Sequence, residues 1–299
     1  MQCFEDEECL DLLDRETFKF RHRLLGHPAL SLDNLARALP ALTAERVKYS
    51  KGLLRNGDDF EMVLCGEQPR KPSIEETIEN IRTSDSYIMV DGPEADASFA
   101  SLYRELISDV ESLMRRRGLG TRAFDPRLFL FIASPGSVTP FHIDRYSSFL
   151  MQFRGSKQVS IFPQWDERVV SAEHKEAYVT YTKTKLPWDP RNDALARRFD
   201  FQPGDAVHIP FTAGHHVVNG TEDVSISMSI FFSTRESLAW KRALSFNHAS
   251  RRVLRRVGLE PAPVGVEPWR DNAKSYLWST AHRMKSAFRS TSTSPPRSS

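Results

Sequence analysis

The segment from about residue 126 to 233 limits the possible architectures most. It is rich in Phe, Val, Ile, Ser and Thr, in short alternating runs separated by Pro and Gly. Alternation with period two marks strands with one buried face. Candidate strands lie at 127–133, 140–144, 149–153, 157–162, 198–202, 205–210, 216–219 and 224–232. Gly155 and Pro203-Gly204-Asp205 supply turns between them. Many short strands with no helix between them predict an antiparallel barrel or sandwich.

The flanks read differently. Residues 1 to about 125 are expected to be mostly helical. Leu32, Leu35, Ala38 and Leu39 recur at helical spacing after Ser31, and Pro40 stops the pattern. Ser73-Ile-Glu-Glu76 is a capping box, with Ile74, Ile78 and Ile81 as the buried stripe. A helix over 98–117 buries Leu102, Leu106, Val110 and Leu113 and stops at Gly118. After residue 233 helices are expected at 236–256 and 271–288. The chain thus reads as mainly β with flanking helices, in five parts. These are an acidic segment (1–20), a helical region (21–125), the strand-rich core (126–233), C-terminal helices (234–289) and a disordered tail (290–299).

Composition narrows the function classes. The formal net charge of +2 points neither toward nor away from nucleic acid. Charge is uneven, however. Glu5, Asp6, Glu7, Glu8, Asp11, Asp14 and Glu16 crowd the start, and residues 240–299 carry twelve Lys or Arg against three acidic residues. That asymmetry belongs either to an interaction tail or to a solvated helix with a loose end. The pairs Arg251-Arg252 and Arg255-Arg256 lie in no recognisable DNA-reading motif, so nucleic acid is not the expected partner. Cys3, Cys9 and Cys65 form neither a disulfide framework nor a C-x-x-C zinc pair. With no apolar h-region and no membrane-length apolar run, the expectation is a soluble cytoplasmic protein. Apolar residues such as Leu238, Leu244 and Phe246 in the C-terminal helices suggest a homodimer.

Chemistry concentrates in Gly136-Ser-Val-Thr-Pro-Phe-His-Ile-Asp144. Side chains two apart in a strand point the same way, so His142 and Asp144 can reach one ion. A third ligand is expected from a later strand, where His208, His215 and His216 are all available. Two His and one carboxylate leave open positions on a metal, an arrangement that suits Fe(II) with a chelating cosubstrate and O2.

Three stretches resemble a known family. Val138-Thr-Pro-Phe-His-Ile-Asp144, Ser148-Phe-Leu-Met-Gln-Phe-Arg-Gly-Ser-Lys157 and its continuation to Pro163, and Pro203-Gly-Asp through His215-His-Val-Val-Asn219 are similar to the JmjC and cupin-like branch of the 2-oxoglutarate oxygenases. That branch includes the asparaginyl hydroxylase of the hypoxia response. Pro28-Ala-Leu-Ser-Leu-Asp-Asn-Leu, Ser73-Ile-Glu-Glu-Thr-Ile and Pro263-Val-Gly-Val-Glu-Pro-Trp-Arg-Asp271 extend the likeness to bacterial cupin-like proteins of unassigned substrate.

The resemblance implies a double-stranded β-helix, the jelly-roll or cupin core. It implies His142, Asp144 and His215 as iron ligands, with Lys157 pairing the distal carboxylate of 2-oxoglutarate and Thr139 donating to it. Ser148 and Ser229 fall near the cosubstrate's other carboxylate. The implied activity is an Fe(II)- and 2-oxoglutarate-dependent dioxygenase, a hydroxylase or N-demethylase. Its unidentified substrate would be a protein side chain, a modified nucleotide or a small molecule. The alternatives are a non-catalytic cupin-like binding module and a cupin metalloenzyme that does not use 2-oxoglutarate. Two departures stand out. Arg145 follows Asp144 directly, and Thr212-Ala-Gly214 replaces the Trp common before the distal His in eukaryotic relatives.

Overall fold

Alternation along the strands sorts their side chains into two cores, one on each face of a large sheet. The computed structural model describes residues 1–5, 8–51, 54–59, 80–83 and 85–291. Its strands are β1 Phe18–Arg21, β2 Val47–Lys51, β3 Ser86–Asp91, β4 Phe124–Ala133, β5 Val138–His142, β6 Ser147–Arg154, β7 Lys157–Ile161, β8 Arg197–Phe201, β9 Asp205–Ile209, β10 His215–Asn219 and β11 Ser225–Ser233. Among the described residues the helices are α1 Leu32–Ala41, α2 Ala100–Arg116, α3 Ala172–Val179, α4 Arg235–Arg256 and α5 Pro268–Thr291, besides short 3-10 turns.

The chain divides into two compact units, Met1–Val170 with Lys185–Arg235, and Ser171–Thr184 with Glu236–Ser299. The first unit holds both sheets. One has seven strands in the order β1-β9-β6-β11-β4-β3-β2, and the other has four in the order β5-β10-β7-β8. Every pairing is antiparallel. All eight strands read between 126 and 233 are present, within a few residues of their expected ends.

β11 shows how alternation works here. Ile226, Met228, Ile230 and Phe232 enter a large core with Leu102, Leu106, Val110 and Leu113 of α2. The intervening Ser225, Ser227 and Ser229 point to the opposite face. On that opposite face Leu150, Val159, Ile161, Val207, Ile209 and Val217 form a second core. α2 ends as expected. Gly118 takes a left-handed φ of 66°, and the Leu119 amide donates to the Met114 carbonyl at 2.9 Å.

The segment before 126 contains more than helices. β1, β2 and β3 also lie there and complete the seven-stranded sheet. The reason is local. β3 buries Tyr87, Ile88 and Val90 consecutively or nearly so, which erases the period-two signal. The acidic start is not simply solvated either. Asp14 is fully buried, and its carboxylate accepts from Ser147 and Thr234 hydroxyls. The Asp109 carboxylate of α2 accepts from the amides of Gln2, Cys3 and Phe4. Cys3 and Cys9 are free thiols. Pro40 falls in the last turn of α1, which runs one residue further to Ala41. The capping box at 73–76, Cys65 and positions 292–299 of the tail lie outside the described residues.

In the second unit the fully buried Glu176 of α3 accepts from Arg251 of α4 at 2.6 and 2.8 Å. Arg255, one turn later, meets Glu173 and Glu260. Two of the basic residues near the C-terminus are thus engaged by acidic partners of their own unit. Leu244 is buried, so it is not available as a dimer contact. Among the described side chains of α5, the large exposed apolar ones are Trp269, Tyr276, Leu277 and Met284. No helix of the described residues is long and apolar enough to cross a membrane.

Candidate metal centre

β5 and β10 are neighbours, and their register sets His142 opposite His215. Directly opposed residues on one sheet face have adjacent Cβ atoms. The two imidazole centroids are accordingly 4.1 Å apart. β10 begins at His215, so the chain beyond His142 has no ladder partner and β5 ends there. Asp144 therefore sits just past the strand end rather than within it. It is held instead by its carbonyl, which accepts from the Thr212 amide at 3.1 Å. Its Oδ2 is 3.5 Å from His215 Nε2. One donor atom from each of His142, Asp144 and His215 lies within 4.8 Å of the other two.

Hydrogen bonding settles which ring nitrogens face the centre. His142 Nδ1 donates to the Pro140 carbonyl at 2.7 Å, and His215 Nδ1 donates to the Ala213 carbonyl at 3.0 Å. A carbonyl only accepts, so each Nδ1 carries the proton and each Nε2 presents a lone pair. Burial, followed by the neighbouring His142, holds the His215 pKa well below the usual imidazole value. A neutral, tautomer-locked imidazole is the form that binds metal. Two imidazoles that each offer Nε2, together with a carboxylate, fit a first-row divalent ion with positions left open.

Gly214 is where the chain passes closest to its neighbours before His215. A Cβ there would lie 2.7 Å from the Phe141 ring. Thr212 adopts a left-handed φ of 56° at the same approach, a conformation that strains a β-branched residue.

The other two histidines of that segment lie elsewhere. His216 alternates to the opposite side and contacts Asp193 Oδ1 at 3.3 Å. His208 is fully buried, accepts from the Asp14 amide at 3.0 Å and donates to the Ser148 carbonyl. Burial lowers its pKa to about 4, so it is a neutral core residue.

All seven residues singled out in the sequence line one cavity. Thr139, His142, Asp144, Ser148, Lys157, His215 and Ser229 enclose it together with Tyr87, Phe131, Leu150, Ile209, Val217, Ser227 and Phe231. Its empty space is about 430 Å³, open mouth included. Lys157 begins β7, just after the turn at Gly155, and is buried. Its Nζ donates to Ser227 Oγ at 2.8 Å, and it has no carboxylate partner among the described residues. Burial pulls its pKa down to about 7. The Ser148 hydroxyl is buried with no hydrogen-bond partner among the described residues. Tyr87 is hydrogen-bonded to Thr139, and burial raises its pKa, so its phenol stays protonated. Arg145 lies half-buried in the bend after Asp144 rather than on a strand.

Ser227 and Tyr87 are site residues that sequence reasoning missed. Ser227 was legible in Ser225-Ile-Ser-Met-Ser229, where period two puts it beside Ser229. Tyr87 lay in the stretch read as helical.

No curated protein matches the sequence. Among solved structures, the Escherichia coli ribosomal oxygenase YcfD in complex with cobalt and 2-oxoglutarate is 17% identical. It aligns over 93% of this chain and 67% of that one, with a TM-score of 0.47. Another structure of E. coli YcfD is 16% identical over 90% of this chain and 63% of that one, at 0.47. Oxalate decarboxylase of Lactobacillus farciminis, a formate complex, is 20% identical over 36% of this chain and 24% of that one, at 0.25. The chain thus spans about a quarter of the decarboxylase and just under two thirds of that second YcfD chain. The cupin-like domain family, Cupin_8, matches residues 29–237, from just before α1 to the first residues of α4. With most of its length in that match, and with a mainly antiparallel two-sheet core, the chain belongs to the Cupin_8 family of cupin-like domains.

Proposed function

We propose that the protein is an Fe(II)- and 2-oxoglutarate-dependent oxygenase that hydroxylates its substrate, or removes an N-methyl group by the same chemistry. The observation that carries this reading is the pairing of two features in one cavity. A two-histidine, one-carboxylate donor set lies beside a buried lysine that has no carboxylate partner among the described residues. A cosubstrate-free cupin metalloenzyme leaves that lysine without a task.

Each residue then has a definable role. His142, Asp144 and His215 would hold the iron, with the Pro140 and Ala213 carbonyls fixing the ring orientations. Lys157 would bind the far carboxylate of 2-oxoglutarate through charge-assisted hydrogen bonds, with Thr139 as a second donor. Ser148 and Ser229 would serve the carboxylate nearer the metal, and the unpartnered Ser148 hydroxyl suits an anionic oxygen. The buried lining of Leu150, Ile209 and Val217 excludes water from the reacting centre. Bound Fe(II) and 2-oxoglutarate would supply the activation of O2, with one oxygen atom going to the substrate carbon and the other to succinate as CO2 is lost.

Anaerobic addition of Fe(II) and 2-oxoglutarate tests the proposal through a weak visible charge-transfer band. The band is expected in the native protein and absent in His215→Ala. A protein with no band, but with metal still bound, rejects the 2-oxoglutarate reading.

A further inference from the structure

We propose that the metal cavity opens onto an apolar strip of the seven-stranded sheet and that this strip selects an uncharged aromatic group as the substrate. The inference rests on the oxygenase reading of the adjoining cavity.

The strip follows from strand register. Ser227 of β11 pairs with Phe131 of β4, which pairs with Met89 of β3. One step along, Ser229 pairs with Phe129, which pairs with Asp91. Directly paired residues share a sheet face, so both rows continue the face that lines the cavity. Burial declines outward along each row. Ser227 and Ser229 are almost completely buried, whereas Phe131, Phe129 and Met89 are half-buried. The Asp91 side chain, at the outer end, is 24% exposed. The cavity therefore reaches the surface along β4 and β3.

Aromatic geometry gives the strip its selectivity. Phe231 lines the cavity, and Phe129 meets it edge to face at 4.8 Å between centroids. Phe129 and Phe131 lie nearly parallel, with an interplanar angle of 11°. Tyr146 also meets Phe231 edge to face, with centroids 6.3 Å apart at 87°. A further ring entering here meets both faces and edges, the two arrangements aromatic pairs favour.

Charge lies at the margin. Arg127 is engaged by Asp91 at 3.3 Å, and Lys48 of the edge strand β2 stands beside Met89. The deep cation, Lys157, is assigned to the cosubstrate. Apolar contacts inside a charged margin favour a neutral ring over a nucleotide phosphate. The ring could belong to a free metabolite or to a polypeptide side chain, since the same contacts serve both.

The test uses the full-length protein loaded with Mn(II) and 2-oxoglutarate. The probes are indole, a neutral tripeptide with central Trp, AMP and acetamide. Paramagnetic broadening of probe resonances reports binding beside the metal without turnover. The ring protons of indole or of the peptide are expected to broaden, and those of AMP and acetamide are not. Indole alone points to a metabolite, and a tighter peptide points to a polypeptide. Phe129→Ala should weaken ring binding by about 2- to 10-fold. Met89→Asp should weaken it by about 10-fold or more. Neither residue lines the metal cavity, so both variants should keep native Mn(II) and 2-oxoglutarate affinities.

Ring probes that bind no better than acetamide, or bind both variants as they bind the native chain, overturn the proposal. Separate Mn(II) and 2-oxoglutarate titrations judge the oxygenase reading. If those fail, saturation transfer from the metal-free protein to indole, with the same two variants, still decides the strip.

Discussion

His142 and His215 face each other across the β5–β10 ladder with their ring centroids 4.1 Å apart, each Nδ1 tied to a backbone carbonyl two residues earlier in its own chain segment. The pair is preset for metal, and Asp144 stands 3.5 Å from the second ring. Substituting His215 by Ala should reduce Co(II) affinity by at least about 100-fold, beyond the loss typical of outer-shell changes. Titration followed by the cobalt d–d absorption checks it. An affinity within a few-fold of the native value means that the metal lies elsewhere.

Lys157 should leave a signature in pH. Burial lowers its pKa from 10.5 to about 7. The unfolded chain keeps this proton up to about pH 10.5, while the folded chain releases it from about pH 7 upward. The unfolded state binds more protons in that window, so stability should rise with pH there, by at most about 1.4 kcal/mol per unit. Below pH 7 the penalty of the buried charge is present in full. Lys157→Met should flatten this slope in urea titrations and stabilise the metal-free protein at neutral pH. The same change should weaken 2-oxoglutarate binding by roughly 10- to 100-fold while Mn(II) still binds.

Asp14 joins the N-terminal segment to the core. Its buried carboxylate accepts from Ser147 and Thr234, and its amide donates to His208. Asp14→Ala strands two buried hydroxyls and should cost about 3 kcal/mol. Chemical denaturation measures the loss. A change below about 0.5 kcal/mol shows that water replaces the carboxylate freely.

Gly155 connects a turn to the strand that begins with Lys157. Its φ is 65°, and a Cβ there would lie 2.6 Å from the Val224 carbonyl oxygen. Gly155→Ala should destabilise the fold by about 1–3 kcal/mol. Because Lys157 is two residues on, the stabilisation by 2-oxoglutarate should shrink as well. Thermal melts with and without the ligand separate the two effects.

Leu244 is buried within its own chain, so a homodimer through α5 would draw on the exposed Trp269, Tyr276, Leu277 and Met284. Light scattering should then give a concentration-dependent mass that Trp269→Ser with Leu277→Ser lowers to that of a monomer. A native protein that stays monomeric at every concentration removes the expectation.

The legible parts of this molecule are those with a strong local period. Strands β4 to β11 announce themselves through alternation bounded by Pro and Gly, and α2 through Leu102, Leu106, Val110 and Leu113. β1 was missed because Phe18-Lys-Phe-Arg21 alternates over only four residues. β3 was missed because Ser86, Tyr87 and Ile88 are buried one after another, so its first half carries no alternation. At the site, spacing alone placed His142 near Asp144 but left His208, His215 and His216 as equal choices. What separates them is register. His215 opposes His142, His216 turns toward Asp193, and His208 enters the core beside Asp14. Register is a long-range property of paired strands, which is why no local window of sequence contains it.

The donor residues and the aromatic strip are carried by different sheets. His142 and His215 belong to the four-stranded sheet, with Asp144 just beyond its edge, while Phe129, Phe131 and Met89 belong to β4 and β3 of the seven-stranded sheet. Substitutions at Phe129 and Met89, which lie outside the lining of the metal cavity, therefore leave the donor set in place, whereas Tyr87 of β3 and Phe131 of β4 belong to that lining. On the proposed reading, a lineage built this way can vary what it accepts at Phe129 and Met89 while keeping its three donor residues, and a designer can retarget it from those two positions.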